Sequence, residues 1–94
     1  MPRIRLGDVP ARGEHIRWKE FGADGILLDV QSGEYFQVEE AGVMICRQID
    51  GRKTAGEIIE YVASLFEGEG DIVVEDTLEF MEELQDKGLI SVLV

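Results

Sequence analysis

Few residues in this chain have chemistry to offer, and their spacing does not bring them together. There is one histidine, His15, and one cysteine, Cys46. His15 opens an alternating apolar stretch and reads as a surface residue of a strand. Cys46 falls among Met44, Ile45 and Ile49 at helical spacing, which suits a structural helix cysteine better than a reactive thiol. A single Cys with a single His cannot complete a standard zinc ligand set. Glu75, Asp76, Glu79, Glu82, Glu83 and Asp86 crowd one helical stretch. They read as a solvated face, with recognition of a basic partner as the functional alternative. None has the apolar setting that would raise a carboxyl pKa for acid–base work, and no calcium-loop spacing appears. The glycines spell no phosphate loop. The expectation is a non-enzyme that needs neither cofactor nor metal.

Charge narrows the choice of partner. The 94 residues carry a formal net charge of −11, unevenly spread. Arg3, Arg5, Arg12, Arg17 and Lys19 stand against Asp8 and Glu14 at the start. From residue 54 onward Lys87 is the only base among many acids. Such a surface repels phosphate backbones and anionic lipid, so neither nucleic acid nor membrane is an expected partner. No stretch reaches the roughly 20 apolar residues of a membrane span. Cys46 has no internal disulfide partner, and no secretory signal is visible, so the expected location is cytoplasmic.

The elements follow from periodicity. Residues 1–13, with Pro2, Gly7, Pro10 and Gly13, show no apolar period and read as a loosely ordered N-terminal arm ahead of one domain over residues 14–94. Ile16 and Trp18 alternate with Arg17 and Lys19 in a strand over His15–Phe21, and the break at Glu20 and Phe21 suggests a bulge or a strand end. A turn over Gly22–Gly25 leads to a second strand, where Ile26, Leu28 and Val30 oppose Leu27 and Asp29. A third follows Gln31–Glu34, with Phe36 and Val38 opposite Tyr35 and Gln37. Short connections make this an antiparallel meander.

The period then becomes helical. Ala41, Met44, Ile45 and Ile49 mark one face of a helix over residues 39–49, stopped at Asp50-Gly51. Thr54 and Glu57 form a capping box ahead of a stripe at Ile58, Ile59, Val62, Leu65 and Phe66. Asp71 is placed to cap a third helix with apolar positions Val73, Thr77, Phe80, Met81 and Leu84. Lys87 and Gly88 close that helix. The tail over Leu89–Val94 suits a short strand or an edge cover. The order predicts an α+β domain, a three-stranded antiparallel sheet followed by three helices (β-β-β-α-α-α).

A three-stranded sheet leaves two edges with unpaired backbone groups. The backbone of Glu34, Tyr35, Phe36, Gln37 and Val38 would offer an unpaired strand edge. On the third helix Leu78 sits off the centre of the apolar stripe and stacks with Met81 and Gln85, where a groove would give it more use than water would; the alternative is that the core stripe is simply wide.

The residues also carry a resemblance. Gly25-Ile26-Leu27-Leu28-Asp29 followed by Ser32-Gly33-Glu34-Tyr35-Phe36-Gln37-Val38, the junction Ile49-Asp50-Gly51-Arg52-Lys53-Thr54 with Glu57-Ile58-Ile59, and Asp76-Thr77-Leu78-Glu79-Phe80-Met81 with Leu84 and Gly88-Leu89-Ile90 resemble the PqqD-like proteins. These are precursor-peptide recognition elements of ribosomally made, modified peptides. The resemblance implies a winged-helix-like fold. It also implies that the leader region of a precursor peptide lies between the third strand and the third helix as an added strand. The implied partner is a maturation enzyme, a radical S-adenosylmethionine enzyme first or a lasso-type leader peptidase. One departure stands out: the family commonly has Leu-Asn where this chain has Val38-Glu39, and glutamate is a poor helix cap. The competing readings are a winged-helix DNA-binding protein, which the charge disfavours, and a structural or dimerisation module using the Leu89–Val94 tail.

Overall fold

The structure, a computed structural model, describes residues 4–65 and 70–93. In chain order it has strands β1 (Val9–Arg12), β2 (Ile16–Phe21), β3 (Asp24–Asp29) and β4 (Tyr35–Val38). Helices α1 (Glu40–Gln48), α2 (Ala55–Leu65) and α3 (Gly70–Asp86) follow, and then strand β5 (Ile90–Leu93). The meander β2-β3-β4 forms one antiparallel sheet, and β1 pairs with β5 in a second, two-stranded one. The predicted α+β order of three strands and three helices is present, framed by β1 and β5.

The meander is regular. Ile16 pairs with Asp29, Trp18 with Leu27 and Phe21 with Asp24, so the pairing runs through Glu20 and Phe21 without a bulge. The hairpin between β2 and β3 turns at Gly22, whose φ of 58° needs a residue without a Cβ. On β3 the core face belongs to Leu27, while Leu28 and Val30 are exposed. Leu27 pairs with Phe36 and Gly25 with Val38 across β3 and β4. One face of the sheet therefore gathers Ile16, Leu27 and Val38, all buried, and turns them to the helices.

Three helical stripes complete the core: Val43, Ile45 and Cys46 from α1, Ile58, Ile59 and Val62 from α2, and Thr77, Met81 and Leu84 from α3. Each aliphatic side chain fully buried here contributes about 1.5–3 kcal/mol relative to exposure. The stripe on α1 differs from the expected one. Ala41 is exposed and Met44 only half-buried, while Val43 and Cys46 are inside. The reason is Gly42. A Cβ at that position would run into the Val38 side chain and come within 2.9 Å of the Phe80 ring. The helix is rotated so that its glycine meets β4 and α3, and a glycine leaves no mark in a hydropathy pattern.

Helix ends follow the residue types. Thr54 and Glu57 close a reciprocal box, with the Glu57 N–H donating to Thr54 Oγ1 at 3.1 Å and the Thr54 N–H donating to Glu57 Oε1 at 2.9 Å. Glu39 stands at the cap of α1 and makes no side-chain cap bond there. α3 begins at Gly70, so Asp71 lies inside its first turn rather than ahead of it. At the other end Gly88 (φ 75°) lets the Leu89 N–H return to the Leu84 carbonyl at 2.9 Å, a Schellman closure. On α2, Leu65 is exposed, and Phe66, expected in the same stripe, lies outside the described residues.

The expected loose arm is a correction. Ile4 and Pro10 are buried, and β1 pairs with β5 from Val9↔Leu93 to Arg12↔Ile90. The carbonyls of Leu6, Asp8 and Pro10 accept from the N–H groups of Gly56, Ala55 and Gly51. These bonds tie the segment to the junction of α1 and α2. A strand that needs a distant partner, and that carries a proline, has little local signature. The tail does form a strand, and it pairs with β1 rather than with the meander.

Candidate peptide-binding site

The site is built on the outer edge of β4, and the turn before it sets the register. Asp29 Oδ1 accepts from the N–H groups of Gln31 (2.8 Å) and Ser32 (3.2 Å), and Gly33 takes a φ of 80°. The Asp29 N–H then donates to the Glu34 carbonyl at 2.9 Å. That bond fixes the alternation of the ladder. Leu27–Phe36 and Gly25–Val38 are the pairs that bond across β3 and β4, so the N–H and C=O of Tyr35 and Gln37 turn outward. Among the described residues β4 pairs with β3 alone. Its side chains split as the sequence predicts: Tyr35 and Gln37 are exposed, while Phe36 is half-buried and Val38 buried.

Two grooves flank this edge. One, of about 460 Å³, lies where β4 runs into α1, lined by Phe36, Val38, Glu39, Glu40, Gly42 and Phe80 among others. The other, of about 340 Å³, lies at the start of β4, between Asp29, Ser32, Glu34, Phe36, Lys87 and Leu89. Phe36 belongs to both, and the Lys87 ammonium sits 5.4 Å from its ring centroid, within cation–π range. The first groove is apolar with two carboxylates and no base, and the second mixes both signs.

The α3 residues expected at the site divide. Met81 has no exposed surface and belongs to the core. Leu78 is half-buried against that core and lines neither groove. Gln85 holds its Oε1 out of solvent without a hydrogen-bond partner, a cost that a donor from outside would relieve. The α3 side chain that meets β4 in the first groove is Phe80, which the sequence reading gave to the core. Its signal was present but faint: it occupies the margin of the Thr77–Met81–Leu84 stripe. Glu40, Gly42 and Lys87 were missed for the same reason, since each is polar or small in a segment read for its apolar face.

Burial pushes the Cys46 thiol up to about 12, which leaves it protonated and unreactive at neutral pH. His15 Nε2 lies 3.8 Å from Asp29 Oδ2 at the sheet surface. Among the described residues no group of His, Cys, Asp and Glu is placed to hold a metal, and no helix is long and apolar enough to cross a membrane.

Known proteins share this fold. TbiB1, solved in complex with the TbiA(beta) leader peptide, superposes with a TM-score of 0.80 over 89% of this chain and 98% of its own, at 20% identity. A lasso peptide synthetase B1 complexed with the leader peptide gives a TM-score of 0.78 over 88% of this chain and 98% of its own, at 19% identity. At such identities the likeness is one of fold. A PqqA binding protein of Gluconobacter oxydans (strain 621H) is 34% identical over 55 residues, 58% of this chain and 57% of that protein. The match thus spans little more than half of that relative's length. The family described as Coenzyme PQQ synthesis protein D (PqqD) matches residues 24–90, from the first residue of β3 to the first of β5. The chain belongs to the PqqD family.

Proposed function

We propose that this protein binds the leader segment of a ribosomal precursor peptide and holds it for a separate maturation enzyme, without catalysing a reaction itself. The observation that carries this reading is the unpaired β4 edge, with Phe36 beneath it and a groove at either end. Main-chain bonds to Tyr35 and Gln37 supply affinity that is indifferent to sequence, and the grooves supply selection. The peptide segment would run along Glu34–Val38. Half-buried Leu78 would add apolar contact, Met81 would support it from beneath, and the Gln85 Oε1 would accept a donor from the peptide. Two proteins of the same fold are solved in complex with a leader peptide, and a PqqA binding protein is a relative in sequence. The enzyme partner fits a radical S-adenosylmethionine protein or a lasso-type leader peptidase, in the cytoplasm.

The test uses precursor peptides encoded beside this gene. Titrated into ¹⁵N-labelled protein, the cognate leader should shift the amides of Glu34–Val38 in a saturable way. Mass spectrometry of the same mixture should show the peptide unchanged until a second enzyme is added. A mass change produced by this protein alone would sink the adaptor reading, and so would a leader that binds while leaving β4 unshifted.

A further inference from the structure

The groove at the end of β4 does not stop there. It shares Ala41, Gly42 and Phe80 with a second apolar trough of about 340 Å³, whose other walls are Ile45, Val62, Asp76 and Thr77. The trough lies between α1, α2 and α3. Gly42 keeps the passage open, because a Cβ there would press on Val38 and Phe80. Phe80 is half-buried and forms the ridge between the two hollows. Carboxylates mark the path: Glu39 and Glu40 line the first hollow and Asp76 the second, with no Lys or Arg among the lining residues of either. The groove at the opposite end of β4 differs, since Lys87 lines it.

Resting on the peptide-binding reading, we infer that the bound segment continues past Val38, crosses Phe80 and places an aliphatic or aromatic side chain in this trough, next to a lysine or arginine of the same peptide. The apolar floor selects the first residue. The carboxylates select the second, whose stem can lie on apolar surface while its charge stays at the rim. A peptide strand advances about 3.3 Å per residue, so two or three residues beyond the paired segment reach across one aromatic ring. The acidic character of this end of the molecule thereby becomes a specificity device and not a solvated face alone.

Designed peptides separate this inference from the reading beneath it. The capped strand peptide acetyl-Thr-Val-Thr-Val-Thr-amide is compared with versions extended, at one end or the other, by Lys-Leu-Lys, Lys-Ser-Lys or Glu-Leu-Glu. Each is titrated into the ¹⁵N-labelled full chain. With Lys-Leu-Lys at the correct end, the amides of Gly42, Ile45, Thr77 and Phe80 should shift together with those of Tyr35–Val38. Affinity should rise about tenfold or more over the unextended strand. The serine and glutamate versions should lose that gain. Asp76→Lys, at an exposed position outside the first groove, should abolish the gain and leave binding of the unextended strand unchanged. The inference is overturned if all three extensions bind alike, or if the trough amides stay still while β4 responds, which leaves the strand-addition reading standing. No response of β4 to any of the peptides overturns both.

Discussion

The meander has two outer edges, and they are built differently. At β2 the helix-facing side is covered and tied, and the hollow of about 630 Å³ that Arg17, Lys19 and Phe21 line opens on the opposite face of the sheet. The Trp18 ring lies over Gly25, where any Cβ would run into it. The Trp18 Nε1–H donates to Glu20 at 3.0 Å, and Arg47 of α1 reaches across to the same carboxylate, its Nε 3.1 Å from each oxygen. At β4, among the described residues, the tie is the Lys87 ammonium over the Phe36 ring, with no side-chain hydrogen bond from strand to helix. Phe36 and Val38 lie under the edge, and hollows open on either side of them. Both edges have unpaired backbone groups, so unpaired backbone alone does not mark a binding strand. An edge becomes receptive when the volume beneath it is apolar and unfilled, because the incoming strand then has side-chain pockets as well as main-chain partners.

Proline tests this contrast most severely. At Gln37 the N–H faces outward, so Gln37→Pro removes no bond to β3. At Lys19 the alternation is opposite: the Val30 N–H donates to the His15 carbonyl at 2.9 Å, which makes Lys19–Ile26 a bonded pair. Lys19→Pro should therefore lower the melting temperature sharply or prevent folding, whereas Gln37→Pro should melt close to the parent. The same Gln37→Pro protein should bind leader at least about tenfold more weakly, through one lost main-chain bond and an obstructing ring. A Gln37→Pro variant that binds normally would show that the peptide does not pair with β4.

How much of this was readable beforehand depends on where each signal is written. The meander, the capping box at Thr54 and Glu57, and the glycine stop at Gly88 are local, and each has a residue-type signature within a few positions. The β4 edge was legible too, since alternation alone sends Tyr35 and Gln37 away from Phe36 and Val38. The pairing of β1 with β5 was not, because it joins the two ends of the chain and neither strand alternates clearly. The wall of the groove was blurred for a different reason. Gly42 shapes it by lacking a side chain, and Phe80 serves core and surface at once, so a binary reading of apolar stripes passes over the first and sees only the core side of the second.

Two neighbouring α3 residues offer a graded test. Met81 is wholly buried, and Met81→Ala should cost about 2–5 kcal/mol in stability by opening a cavity. Leu78 is only half-buried, so Leu78→Ala should destabilise less and show its effect in leader binding, at about 1–2 kcal/mol by calorimetry. Thermal melts and titrations on both variants order the two residues. A Leu78→Ala protein that melts as low as Met81→Ala yet binds leader normally would assign Leu78 to the core alone.

The smallest effect is expected at the tied edge. The Arg47 guanidinium, and after it the Trp18 indole, hold the Glu20 carboxyl below its ordinary value of 4.5. A carboxyl whose folded-state pKa is lowered stabilises the fold above its unfolded value and loses that contribution as pH falls through the lowered one. Glu20→Gln keeps the shape of the side chain and discards the charge. Because the pair is solvent-exposed, the expected loss at pH 7 is a slight fall in melting temperature. The gap from the parent should narrow as pH falls below 4.5 and through the lowered value at which Glu20 itself becomes protonated. Leader binding at β4 should not change at any pH where both proteins stay folded. If Glu20→Gln instead weakened leader binding as much as Gln37→Pro, the two edges could not be independent, and the β2 side would have to be part of the site.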